Sequence, residues 1–326
     1  MQDKAFVRSS LRLMQRWTPD AIKVSASKLR PAWLPSGASF ELREVREAPL
    51  PLATLGRIGG LEVRLARTTK EIKRAQRLRY NVFYKDGAAI ADARTLLARR
   101  DKDDFDRICD HLLVIDHSAP TRPRDGARPF KRKPPVVGTY RLLGQDAANR
   151  HGGFYTEAEF DVGSLIERHR DLRFLELGRS CVLPPYRNKR TVELLWHGIW
   201  TYVRRHRFDV MIGCASLDGT DPDGLALQLS FLHHYAEAPQ EWRACAHGSR
   251  RVEMNRMAKD AINPKAALHE LPPLVKGYLR LGAFIGDGAV VDDQFGTTDV
   301  LVILPVGAIN SRYIQHFGVD AERHAA

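Results

Sequence analysis

Cysteine is scarce in this chain. Of 326 residues only four are cysteine. Cys109, Cys181, Cys214 and Cys245 lie far apart with no metal-ligand spacing, so they read as reduced, packed thiols rather than a disulfide or zinc framework. No run of about 18 uncharged apolar residues occurs, which argues against a membrane-spanning helix. The first residues lack the compact apolar run and cleavage site of a secretory signal, and the chain therefore reads as cytoplasmic. No internal repeat is visible. Acidic residues are also in deficit: 39 Asp and Glu face 51 Lys and Arg, for a formal net charge of +12. That imbalance favours anionic partners such as nucleic acid, anionic lipid or an acidic protein. The cations do not interleave with aromatics and no nucleic-acid module is recognisable, so nucleic acid is set aside. The hydrophobic content of 44% suffices for one large core with a smaller appendage.

The appendage is expected at residues 1–60. Lys4, Arg8, Arg12 and Arg16 recur every fourth residue, so a helix would align them in one basic stripe, with Phe6, Leu13 and Trp17 opposite. Such a helix suits an anionic membrane surface, peripherally on the inner membrane. Pro31, Pro35, Pro49 and Pro51 then mark a linker. From residue 61 to 326 the pattern is globular. LEVRLA, HLLVID, VVGTYRLL, FLELGRSCVL, DVMIGCASL and TTDVLVILPV read as strands. Thr68 and Glu71 form a capping-box start for a helix with Ala75, Leu78 and Val82 on one side. A second helix follows the fourth strand, with Val192, Leu195, Ile199 and Val203 on its buried stripe, and DPDGLALQLSFLHHY reads as a further one. A helix between the fourth and fifth strands requires a crossover, hence a parallel pair. The expected class is α/β, a mixed central sheet flanked by helices. Between the second and third strands, TRPRDGARPFKRKPP carries six cations, one acid and four prolines and reads as an exposed basic loop.

The chemistry concentrates in FLELGRSCVLPPYRNKRTVELLW. Glu176 and Arg179 sit inside an apolar strand, where desolvation raises the basicity of a carboxylate. The strand then turns through Pro184 and Pro185 into a helix capped by Asn188 or Thr191. Unsatisfied N–H groups at that helix start, with Arg187, Lys189 and Arg190 around them, make a phosphate site. HLLVID also satisfies a His-x-x-x-x-Asp dyad pattern, but five residues apart on a strand point to opposite faces. His233–His234 lacks further ligands at metal spacing and reads as a helix-end pair, so no metal site is expected.

Val-x-Pro-x-Tyr-Arg followed by a helix resembles the cofactor loop of the GNAT acyltransferase superfamily, with Asn188, Lys189 and Arg190 standing where small residues are usual. Taken in order, RYNVFY, DDFDRICDHLLV, GTYRLL, ELGRSCV and PPLVKGYLRLGAFIGDGAV resemble the ornithine-lipid-forming N-acyltransferases, a hemolysin-like GNAT branch related to the acyl-homoserine-lactone synthases. The likeness runs from about Leu61 to Val306. It implies a GNAT-like sheet with the fourth and fifth strands splayed apart. It also implies an enzyme that moves a 3-hydroxy fatty acyl group from the phosphopantetheine arm of acyl carrier protein to the α-amine of L-ornithine, with no permanently bound cofactor. Glycine, lysine, glutamine or a lactone precursor remain alternative acceptors. Carried over onto matching positions, the substrate residues are Arg79, Phe83, Asp103, Asp106 and Arg141, and the catalytic pair is Glu176 with Arg179. The donor arm falls to Val182, Arg187, Asn188, Lys189, Arg190 and Thr191. The tryptophan usual shortly after the Phe is absent from KDGAAIADA. An amine must lose its proton before attacking a thioester, and Glu176 is the expected base. A backbone N–H near Cys181 or Val182 is the expected oxyanion donor.

Overall fold

The computed structural model describes residues 54–119 and 133–309. The basic stripe at the N-terminus and most of the basic loop therefore lie outside the described residues. The strands are β1 (Gly56–Ile58), β2 (Leu61–Leu65), β3 (Asp110–Asp116), β4 (Val136–Gly144), β5 (Phe174–Val182), β6 (Val210–Asp218), β7 (Arg251–Val252), β8 (Phe284–Asp292) and β9 (Thr297–Pro305). The helices are α1 (Thr69–Tyr80), α2 (Ala93–Ala98), α3 (Gln145–Arg150), α4 (Val162–Arg168), α5 (Lys189–His206), α6 (Ala226–Ala236), α7 (Pro264–Glu270) and α8 (Pro273–Leu281).

One sheet carries the nine strands in the order β1-β2-β3-β4-β5-β6-β9-β8-β7. Every pairing is antiparallel except β5–β6, the parallel pair that the α5 crossover demands. The period of two sorts side chains between the faces. Leu112, Val114, Leu175 and Leu177 face α5, whose Leu194, Leu195, Ile199 and Val203 are buried there with α6, α7 and α8. Leu113 and Ile115 face α1 through Ala75 and Leu78, and Phe174 joins α4 on the same side.

Sequence periodicity misplaced a few features. Val192 is 46% exposed and lies off the buried stripe of α5. Only half the capping box of α1 forms. Thr68 Oγ1 accepts from Glu71 N at 3.3 Å, while the Glu71 carboxylate turns to Arg64 and to the Arg67 N–H. Strand β8 went unread because Gly286 and Gly288 interrupt its apolar pattern; the register with β9 breaks between Ile285 and Ala289, and Gly288 has φ +83°.

Two features of β5 shape the site. Its pairing with β6 stops after Glu176↔Ile212, although both strands run on, β5 to Val182 and β6 to Asp218. Beyond that point β6 continues against β9, leaving a wedge between β5 and β6. This is the expected splayed pair. The second feature is a bulge. Thr139 pairs Cys181 but Arg141 pairs Gly178, so three steps of β5 oppose two of β4. Arg179 takes up the extra residue in the left-handed region, φ +51°, a conformation that costs an arginine about 1–2 kcal/mol.

Candidate active site

On a regular strand, residues three apart point to opposite faces. The bulge at Arg179 reverses the alternation, bringing Glu176 and Arg179 onto the face that α1 covers. There they meet a buried charge network. Arg79, at the end of α1, is 0% exposed. Its guanidinium grips Asp106 with two bonds of 2.8 Å and donates to Asp101 O at 2.7 Å, with the Asp101 carboxylate 2.7 Å from Nε. Asp103 and Asp106 form a reciprocal capping box on the turn Asp104–Arg107, which aims both carboxylates inward. Arg141, on β4, donates to both Asp103 oxygens at 2.6 Å. Arg179 reaches Asp103 at 3.3 Å and Asp101 at 3.4 Å, and lies over the rings of Tyr155 and Phe295 at 4.9 and 4.8 Å. Three guanidiniums thus face three carboxylates. Burial would raise Asp106, but the hydrogen bonds and charge of Arg79 outweigh it and hold the carboxyl down at about 2.

Glu176 is the fourth carboxyl in this space and has no guanidinium of its own. It is 3% exposed. The Thr156 N–H donates to it at 3.4 Å and the Tyr155 N–H also contributes. Burial pushes it up to about 7, against the opposing charge of Arg141. A carboxyl with that value exchanges a proton near neutral pH. The thiols nearby behave differently. Burial pushes Cys109 up to about 12 and raises Cys181 further, so both stay protonated and inert.

A second polar group adjoins the first through Thr156, whose Oγ1 lies 3.9 Å from Cys214 Sγ. Ligand atoms of Glu159, Cys214 and Asp299 fall within 4.8 Å of one another. Glu159 is raised by burial and by the Asp299 charge, with Arg250 opposing at 3.4 Å. Asp299 is raised by burial, against hydrogen bonds from Ser216 and Thr297. Two carboxyls under mutual repulsion favour a cation between them.

At the start of α5, Asn188 is the cap: its Oδ1 accepts from Thr191 N at 3.1 Å. Thr191 itself is buried, its hydroxyl donating to Asn188. Arg187, Asn188, Lys189 and Arg190 are exposed around this helix end. Arg187 Nε donates to Val182 O at 3.0 Å, tying the turn to the end of β5. The Tyr186 hydroxyl donates to Asp116 at 2.7 Å, holding the same turn against β3.

The structure brings together Arg79, Asp103, Asp106, Arg141, Glu176 and Arg179. Phe83 stands beside them, edge-on to Phe295 with centroids 5.7 Å apart, in the π-helical turn Asn81–Lys85. Arg79 and Asp106 face each other and are closed to solvent. Sequence reasoning missed Asp101, Tyr155, Glu159, Phe295 and Asp299. Apart from Asp299, in a strand, they lie in loops or short turns without periodic signal. The His111–Asp116 dyad does not form. His111 Nε2 contacts Asp106 O at 3.0 Å, while Asp116 binds Ser118 and Tyr186. His234 contacts Met257 O at the end of α6.

Residues 78–197 match the family described as acetyltransferase (GNAT) domain. The chain is similar to the L-ornithine N(alpha)-acyltransferase of Rhizobium meliloti (strain 1021), 51% identical over 272 residues, covering 83% of this chain and 89% of that protein. It is similar to the enzyme of the same name from Brucella abortus (strain 2308), 52% identical over 269 residues, covering 82% and 92%. A solved structure, that of FeeM, an N-acyl amino acid synthase from uncultured soil microbes, aligns at TM-score 0.41 and 10% identity over 77% of this chain and 92% of that one.

Proposed function

The chain belongs to the L-ornithine N(alpha)-acyltransferase family and is an acyltransferase, and from that premise we propose that it moves a 3-hydroxy fatty acyl group from the phosphopantetheine arm of acyl carrier protein to the α-amine of L-ornithine. The observation that carries this reading is the β5 bulge, which turns a carboxyl titrating near pH 7 and a guanidinium onto one face beside the wedge between β5 and β6.

The donor arm enters the wedge, where β5 has lost its β6 partner and keeps unpaired backbone groups for the pantetheine amides. Its phosphate rests on the N–H groups opening α5, with the exposed Arg187, Lys189 and Arg190 supplying charge and Asn188 and Thr191 shaping the turn. Glu176 takes the proton from the α-ammonium, directly or through one water. The freed lone pair attacks the thioester carbon, and the oxyanion is met by a backbone N–H near Cys181 or Val182. The attacking nitrogen sheds its second proton to water, and collapse of the tetrahedral intermediate breaks the C–S bond. The thiolate leaves and is reprotonated by the carboxylic acid of Glu176, which restores the base.

Arg141 and Arg179 face the acceptor carboxylate, positioned by Asp101, Asp103 and Asp106. Arg79 holds those aspartates in place. The second amine of ornithine fits the Glu159–Asp299 pair, one residue bridge (Thr156) away from Glu176. An acidic carrier protein suits the net charge of +12. Residues 55–60, expected in the N-terminal appendage, instead join the sheet through β1 and the core through Leu55. The basic stretch ahead of them is assigned to the cytoplasmic membrane surface, and no helix among the described residues is long and apolar enough to cross a membrane.

The test is direct. Purified full-length protein is incubated with 3-hydroxyacyl carrier protein and L-ornithine, the free thiol is titrated, and the lipid extract is read by mass spectrometry. One lyso-ornithine lipid per thiol released is the expected result. Thiol release without an N-acylornithine, or equal acylation of glycine and ornithine, would sink the assignment.

A further inference from the structure

Four large apolar side chains are notably exposed among the described residues: Ile90 at 70%, Leu96 at 55%, Leu97 at 90% and Val192 at 46%. Three of them share one excursion between the π-helical turn Asn81–Lys85 and Asp101. This lobe is tied down at both ends. Ala89 N donates to Phe83 O at 3.1 Å and Ile90 N to Gln294 O at 2.7 Å. Tyr84 Oη donates to Asp101 at 3.2 Å, and Asp101 N to Gln76 O at 3.0 Å. Between them Asp92 caps the short helix α2 through Thr95 N at 2.7 Å, and Arg99 ends it at φ +48°. The backbone therefore presents the leucines outward by construction.

Lys85, Arg94, Arg99 and Lys102 are exposed around this tip, against Asp86 and the capping Asp92. Apolar tips ringed by cations match the boundary between acyl chains and anionic headgroups. Three side chains cannot supply the roughly 1,200 Å² that a stable protein–protein interface buries, so a second protein copy is a poor occupant. The lobe also adjoins the site: Tyr84 and Asp101 at its roots contact Arg179 or its partners.

We propose that Ile90, Leu96 and Leu97, flanked by Arg94 and Arg99, seat the protein on the headgroup layer of an anionic bilayer. This surface is distinct from the N-terminal segment, and its binding does not depend on which amino acid is acylated.

The experiment is sedimentation of the full-length protein with vesicles of phosphatidylcholine alone or mixed with phosphatidylglycerol. Leu96→Asp/Leu97→Asp is expected to lower partition onto the mixed vesicles by roughly tenfold or more. Arg94→Glu/Arg99→Glu is expected to lower it on mixed vesicles and leave phosphatidylcholine binding unchanged. Acyl transfer in vesicle-free solution stays within about twofold of wild type for both, because none of these side chains reaches the buried network. Leu97→Ser serves as a milder variant, with thermal melts confirming the fold. Unchanged partition in the leucine variants overturns the proposal. So does a parallel loss of vesicle-free acyl transfer, which would assign the lobe to the carrier protein. Failure of the ornithine assay leaves the vesicle result intact, so the two readings fall separately.

Discussion

Glu176 owes its behaviour to what surrounds it. Arg79, Arg141 and Arg179 are matched by Asp101, Asp103 and Asp106, so little net positive field is left to hold a fourth carboxylate ionised while burial opposes the charge. With its folded value near 7 against 4.5 for an ordinary glutamate, the native state holds the proton more tightly than the unfolded chain. Stability therefore declines as pH rises from about 4.5 through about 7, by on the order of 3 kcal/mol once the group is ionised. Glu176→Gln is accordingly expected to cut turnover by roughly 10²–10⁴-fold while raising the melting temperature at pH 8 and not at pH 5. The wild-type kcat/KM for ornithine should rise with pH and level off above about 7. A flat profile, or full turnover in the Gln variant, removes Glu176 as base. At the neighbouring acidic pair, Glu159→Gln or Asp299→Asn is expected to raise the KM for ornithine roughly tenfold, the worth of one desolvated charge contact. The rate with 2-aminobutyrate, which lacks a second amine, should hardly change. Equal losses on both acceptors would return the pair to a purely structural role.

Elements set the positions of these side chains. Helix α1 is clamped to the turn Asp104–Arg107 by Arg79, a fully buried cation whose removal strands the Asp106 carboxylate. Arg79→Met should cost about 3–5 kcal/mol in urea unfolding. Arg79→Lys should recover little of it, because an ammonium cannot reproduce the two-pronged contact. The wedge depends on Gly213, where an added Cβ would lie 2.3 Å from Leu177 O across β5–β6. Gly213→Ala must push the strands apart at the root of the gap. A loss of about 1–3 kcal/mol follows from such overpacking, with a higher KM for the donor. An unchanged melting temperature would mean the pair tolerates a wider separation than the glycine implies.

For the molecule as a whole, charge is the governing quantity. A chain with 12 more cations than acids attracts acidic partners over distances comparable to the Debye length, about 10 Å at 0.1 M salt, and the proposed carrier protein is tested on that ground. Replacing Arg187, Lys189 and Arg190 together by Ala should raise the KM for acyl carrier protein severalfold and flatten its dependence on salt, as expected when charged rim contacts are lost. The KM for ornithine should not move. If both constants rise alike, the start of α5 is not the donor's anchor.

Local chemistry was enough to read α5, a cap at Asn188 or Thr191 that the structure resolves as Asn188, and the parallel crossover, because helix caps and apolar periods act within a few residues. It was also enough to see that the chain carries a cationic turn after an apolar strand. The capping Glu71 went astray because Arg64, on the preceding strand, takes its carboxylate away from the cap, and the face of Val192 because packing against the sheet decides which stripe of α5 is buried. β1, β7 and β8 are short or broken by glycine, so alternation had too few steps to show them. Only tertiary structure placed Glu176 and Arg179 on one face, since a left-handed residue within β5 is a property of its pairing with β4 and leaves no mark in composition. Tertiary structure likewise balanced three arginines with three aspartates drawn from α1, β4, β5 and an intervening turn. Electrostatic cancellation is set by distance through space, which a linear order of residues does not contain.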